Sequence, residues 1–151
     1  VIADDLVYST KNGTDAIGLI AEDSVIIAPY APPRNGSFNY EVNAAVLAQT
    51  GSAIYPVTYR TRPWICTHGW VDSNQTFLFY GSVASRQSWT WTWLVGGPCG
   101  NAKYSSSNGW ITGILNNTTS YDENLLYAPP PSYPITAGYN ILTWREVLTK
   151  P

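Results

Sequence analysis

The chain of 151 residues is long enough for one domain that buries roughly two-thirds of the surface its unfolded form would expose. Charged residues make up only 12%, with 8 Lys and Arg set against 10 acids and a formal net charge of −2, so there is no basic stripe to hold a nucleic-acid backbone. Aromatics reach 14%, with Trp 7, Tyr 11 and Met 0, a balance that suits a β-rich extracellular surface better than a helical cytosolic enzyme.

The opening Val1-Ile2-Ala3-Asp4-Asp5 lacks the features of a signal peptide, and no apolar run approaches the ~20 residues that cross a membrane. A processed or trimmed chain is expected, with any export or anchoring segment absent. Helical periodicity is nearly missing, and short apolar runs are broken by Gly, Pro and Asn, the pattern of strands and turns. Strands are predicted over residues 5–8, 17–21, 24–27, 40–48, 52–55, 76–80, 82–86 and 140–144. Proline clusters within 29–33 and 129–134 should end ladders, because proline donates no backbone hydrogen bond.

A weak internal repeat organises these runs. Gly18-Leu19-Ile20-Ala21, Ala45-Val46-Leu47-Ala48 and Ser82-Val83-Ala84-Ser85 are three short segments of small and aliphatic residues, at offsets of about 27 and 37. The first two continue alike, Glu22-Asp23-Ser24-Val25-Ile26 answering Gln49-Thr50-Gly51-Ser52-Ala53-Ile54. The spacing suits successive turns of a short parallel β-solenoid, each turn burying the face its neighbour leaves open. The alternative is an antiparallel β-sandwich whose strands look alike. Residues 58–73 and 87–115 exceed what a corner needs and carry both cysteines, the only His and six of the Trp residues, so they read as insertions presenting a recognition surface. Cys66 and Cys99 would pair in an oxidising compartment, stapling the insertions and adding about 3–4 kcal/mol; in a cytosolic chain they would be two unrelated thiols.

Enzymatic constellations are thin. His68 is the sole histidine, and with Cys66 it supplies two ligands where structural zinc takes four; as a nucleophile pair the two lack an orienting third group. Asp4 and Asp5 would point to opposite faces of a strand, Glu22 and Asp23 read as solvated corner residues, and Arg145 as the partner of an acid elsewhere. Asp122, Glu123 and Asn124 offer oxygens to a calcium ion, without the alternating acidic spacing of a calcium loop. Trp89-Thr90-Trp91-Thr92-Trp93 is the most informative stretch: in one strand it sets three indoles on one face. That ladder is either a covered packing face or, extended by Trp64, Trp70 and Trp110, a platform for sugar rings or a partner subunit. Glycosylation sequons begin at Asn12, Asn35, Asn74, Asn116 and Asn117, all in predicted loops.

Asp4-Asp5-Leu6-Val7-Tyr8, Gly18 to Glu22, Val25-Ile26-Ile27, Val42 to Ala48 with Gly51-Ser52, then Leu78-Phe79-Tyr80-Gly81-Ser82-Val83 and Arg86 resemble the core pattern of a bacterial pilus-associated family, the DUF4900-type or PilX-like proteins. The resemblance closes with Tyr121-Asp122, Leu125-Leu126, Pro129-Pro130-Pro131, Tyr133-Pro134 and Ile141-Leu142-Thr143-Trp144-Arg145-Glu146. Members usually carry an N-terminal hydrophobic helix of the type IV pilin kind, absent from this chain, and a membrane link is expected only through that helix. The resemblance implies a minor pilin head or pilus-associated protein and no catalytic residues.

The expectation is therefore a single extracellular all-β domain at the cell surface, non-enzymatic and without metal or cofactor. Its partners would be other pilin or filament subunits, and it would act in pilus assembly, attachment or DNA uptake. A carbohydrate-binding module using Trp89, Trp91 and Trp93, with surface glycans as ligands, is the second reading. A polysaccharide-cleaving enzyme is the third, and it would need paired carboxylates about 5–9 Å apart, for which no convincing pair is seen.

Overall fold

Alternation along Phe38–Ala48 (β3) sends Tyr40, Val42, Ala44, Val46 and Ala48 to one side, where each is buried, as a pleated strand dictates. The computed structural model describes residues 1–28, 38–54, 75–95, 97, 103–114 and 116–134. Besides β3 these form β1 (Gly18–Ala21), β2 (Val25–Ile26), β4 (Ala53–Ile54), β5 (Gln75–Ser85), β6 (Trp89–Thr90), β7 (Thr92–Val95), β8 (Lys103–Ser105), β9 (Gly109–Gly113) and β10 (Asn117–Tyr121), then a 3-10 turn at Glu123–Leu126. The described residues form mostly strands with one 3-10 turn, consistent with the all-β class expected from composition. Among the described residues no helix is long and apolar enough to cross a membrane.

Two sheets are wholly parallel, in the orders β1-β3-β5-β10 and β2-β4-β6. Parallel pairing sets aside the antiparallel sandwich for both. The three repeated segments stand side by side in the register anticipated from their spacing: Gly18 opposite Ala45 opposite Ser82, through to Ala21, Ala48 and Ser85. One strand further on, Val25, Ala53 and Trp89 form a second column. The corners between the sheets stack as well. Thr50 N–H donates to the Glu22 carbonyl at 3.0 Å, Gly51 N–H to Asp23 at 3.2 Å and Gln87 N–H to Gly51 at 3.0 Å. The Ser24 and Ser52 hydroxyls accept from Ser52 and Ser88 N–H at 3.1 and 3.4 Å. Gly51 is the extra residue of the middle corner, and a β carbon there would come within 2.9 Å of the Asp23 backbone.

Between the sheets lie Val25, Ile27, Val42, Val46, Phe77 and Phe79, all buried. Each such side chain contributes roughly 1.5–3 kcal/mol relative to an exposed one. The opposite face of β3 is covered too: Asn43 and Ala45 are buried, and Gly18 lies against Pro130 and the Tyr133 ring. A sheet covered on both faces is the usual setting for parallel strands.

Three predicted elements differ. The two strands predicted over 76–80 and 82–86 are one, Gln75–Ser85, since Gly81 lies within β5 instead of ending it. Residues 5–8 make a single bridge, Leu6 to Val42, and not a strand. The stretch 87–115, taken as one insertion, contributes β6 to a parallel sheet and β7 and β9 to a separate antiparallel one, ordered β7-β9-β8. The predicted strand at 140–144 lies outside the described residues.

Candidate functional site

The tryptophan run is not one ladder. Trp89 lies on β6 as the last member of the Val25–Ala53 column and is 51% exposed. The chain then leaves that sheet at Trp91, whose carbonyl accepts from Ile114 N–H at 2.9 Å. Trp91 is only 5% exposed and packs on Phe77 and Phe79, ring centroids 5.1 and 5.7 Å away. Trp93 belongs to the antiparallel sheet. The expected coplanar set of Trp89, Trp91 and Trp93 is thus divided among a sheet end, the core and a second sheet, because pairing with β9 captures the chain from Thr92 onward.

A different aromatic surface forms instead. On β7, β9 and β8, Trp93 opposes Thr112, while Val95 and Tyr104 both oppose Trp110. Residues directly opposed, or two apart on one strand, share a face, so Trp93, Tyr104 and Trp110 share one. Tyr104 is 67% exposed and meets Trp110 edge-on at 5.6 Å. Its composition anticipates Trp93 and Trp110 but not Tyr104, which lies in a short polar strand with no aliphatic neighbours to announce it. The small sheet is tied to the rest by the Thr92 hydroxyl, which donates to the Ile114 carbonyl, and by Asn117 Nδ2, which donates to the same carbonyl at 3.1 Å.

On the outer face of the parallel sheet, Asp122 is a structural anchor. It is buried, and its Oδ1 accepts from the Tyr80 hydroxyl at 2.9 Å, from Asn124 N–H at 3.0 Å and from Asn124 Nδ2 at 2.9 Å. The Asn124 N–H bond caps the 3-10 turn, and the three donors gather on one oxygen of the Asp122 carboxylate. Among the described residues no three of His, Cys, Asp and Glu gather as a metal site. Burial, and then the bond to Asp122, raises the Tyr80 phenol above its ordinary value. Burial likewise raises Tyr8, Tyr40 and Tyr133. Lys11 reaches Glu41 at 2.6 Å and lies 4.9 Å from the centre of the Tyr80 ring. Asn43 has its side-chain amide wholly buried, with no hydrogen-bond partner for either polar atom among the described residues.

Asn12 lies in an exposed turn, its Oδ1 accepting from Thr14 N–H at 3.0 Å. Asn117 is not in a loop but opens β10, immediately after Asn116, whose carbonyl accepts from Phe77 N–H. Cys66, Cys99, Trp64, His68, Trp70, Asn35 and Asn74, and with them the proposed disulfide, lie outside the described residues.

No family model, no curated protein and no solved structure matches this chain.

Proposed function

We infer that this chain is a short parallel β-solenoid serving as a rigid, non-enzymatic scaffold at a bacterial cell surface, as the head of a minor type IV pilin or as a filament subunit. The observation that carries this reading is the corner-over-corner register of Ala21–Val25, Ala48–Ala53 and Ser85–Trp89. Stacked coils of this kind hold their shape through contacts with adjacent coils alone, and they present whatever their insertions carry. The low charge, the aromatic surface and the pilus-family resemblance of the segments named above support that cellular setting. In this reading the exposed side chains act by contact and not by chemistry. The test is mass spectrometry of sheared surface filaments against washed cells. Enrichment in the filament fraction, with a hydrophobic peptide preceding Val1, is expected for a pilin head; absence from the filaments removes the filament role.

The Trp93, Tyr104 and Trp110 face favours a second reading, a carbohydrate-binding surface, since aromatic rings half-open to water stack on the apolar faces of sugars. Titration with soluble oligosaccharides followed by tryptophan fluorescence should then saturate. Trp110→Ala and Tyr104→Ala should each weaken binding about tenfold, the effect of losing roughly 1.4 kcal/mol. No fluorescence change with any oligosaccharide sinks this reading.

A further inference from the structure

Asn12-Gly13 and Asn108-Gly109 each place an exposed asparagine directly before a glycine. Such a pair can close on itself. The glycine nitrogen attacks the asparagine side-chain amide, ammonia leaves, and water opens the resulting imide. Glycine favours the closure because it has no side chain to shield the nitrogen and its backbone bends freely.

The fold treats the two pairs differently. Asn12 Oδ1 accepts from Thr14 N–H at 3.0 Å and from the Thr14 hydroxyl at 2.7 Å. The Thr10 hydroxyl lies 2.8 Å from the same oxygen, and also 2.9 Å from Thr14 Oγ1 and 3.4 Å from Asp15 Oδ2. Thr10 is itself held by Asp15, whose Oδ2 accepts from Thr10 N–H at 2.7 Å. The bond from Thr14 N–H spans Gly13, so the Asn12 side chain folds back along the peptide unit whose nitrogen attacks it. Gly13 N–H makes no hydrogen bond among the described residues, which leaves that nitrogen open. At Asn108 the backbone N–H donates to the Ser105 carbonyl at 3.3 Å, and among the described residues no donor reaches the side-chain oxygen.

Ring closure puts negative charge on the side-chain oxygen, and donors already aimed at a developing oxyanion lower the barrier to forming it. Thr14 supplies two such donors at Asn12, and Thr10 lies in place as a third. Asn108 has none.

We propose that Asn12 is a self-modification site, where the fold promotes attack of the Gly13 nitrogen on the Asn12 side-chain amide. The bond from Gly13 N to Asn12 Cγ forms as the Cγ–Nδ2 bond breaks. The Gly13 proton passes to water or hydroxide, and Nδ2 leaves as ammonia. Water then adds to one or other imide carbonyl and gives aspartate or isoaspartate at position 12. Aspartate adds a negative charge and keeps an acceptor for Thr14. Isoaspartate adds a carbon to the main chain beside Gly13, where a β carbon would already come within 2.7 Å of Asn124 Oδ1. Asn124 in turn donates twice to Asp122, so the isoaspartyl form should loosen that anchor. No enzyme is needed, and the extent of conversion records the age of the molecule.

Peptide mapping by mass spectrometry tests this on the full chain, incubated at mildly alkaline pH, with isoaspartyl methyltransferase labelling to score isoaspartate. Each rate is divided by that of a free peptide of the same sequence, spanning residues 8–16 or 104–112. The ratio for Asn12 should exceed that for Asn108 by about tenfold, the effect of donors on an oxyanion that is still open to water. Thr14→Val, which removes one donor, should slow Asn12 about tenfold in the folded chain and leave its peptide unchanged. Thr14→Ser, which keeps the hydroxyl, should retain the wild-type rate. An unchanged circular dichroism spectrum identifies the variants that fold, and the comparison of Asn12 with Asn108 needs no variant. Equal ratios at the two sites, a lower ratio at Asn12, or a folded Thr14→Val chain that converts as fast as the wild type overturns the proposal.

Discussion

Replacing Trp91 by Ala is expected to cost about 3–5 kcal/mol of unfolding free energy, the range for emptying a large aromatic site in a core. Trp91 is enclosed by Phe77 and Phe79 from β5 and lies where the chain passes from the parallel sheet to the antiparallel one. Phe77 and Phe79 on β5 and Trp89 on β6, its ring centroid 6.2 Å away, belong to two sheets and cannot all collapse into the space its ring leaves. Trp91→Phe should cost much less, about 1 kcal/mol, because a ring is retained and the indole Nε1–H, which has no partner among the described residues, is removed with the lost volume. Trp89→Ala, at an exposed position, should change stability by about 0.5 kcal/mol or less. Urea denaturation followed by circular dichroism ranks the three. A platform of equivalent indoles would give Trp89 and Trp91 similar costs, so equal midpoints for the two alanine variants would contradict the division described above.

That division shows where sequence reading works in this chain and where it stops. The columns through Gly18, Ala45 and Ser82 were legible because stacking places residue over residue, and close-packed neighbours leave the same small and aliphatic types at each level. The first two corners were legible for the same reason, residues 22–26 answering 49–54, whereas Gly51 as the residue added at the second corner emerges only from the fold. The tryptophan run was misleading because alternation fixes faces only while a chain stays in one sheet. Nothing local says that Trp91 will surrender its carbonyl to Ile114, a residue more than twenty positions on, and turn inward. The aromatic face with Tyr104 was invisible for a related reason: its three members come from three strands whose pairing is set by tertiary contacts rather than by pattern. Asp122 belongs to the same class. A carboxylate beside Glu123 and Asn124 suggests an ion, and only the fold reveals that the Tyr80 hydroxyl and the Asn124 donors already converge on it.

Gly81 carries the second large effect, and it inverts the ordinary meaning of glycine in a strand. In sequence Gly81 divides two apolar runs and reads as a break. In the fold, β5 passes through it without interruption, pairing with β3 from Phe38 opposite Gln75 to Ala48 opposite Ser85. It does so at φ +151, with the α carbon pressed against Ala44, so that a β carbon would run into the Ala44 carbonyl and crowd its backbone nitrogen at 3.1 Å. Gly81→Ala therefore cannot be absorbed by a side-chain rotation; β3 and β5 must separate at the centre of their longest ladder. The expected loss is on the order of 3 kcal/mol, combining backbone strain with disrupted pairing. It should also release the Asp122 amide, which donates to the Gly81 carbonyl at 3.2 Å, so hydrogen exchange should speed up across both β5 and the 3-10 turn. Gly97→Ala is the matched control, because nothing lies within 4 Å of a β carbon there, and it should shift the urea midpoint very little. Equal midpoints for the two variants would mean that β5 does not approach Ala44 this closely, and the single continuous strand would have to be redrawn as the two that the sequence suggests.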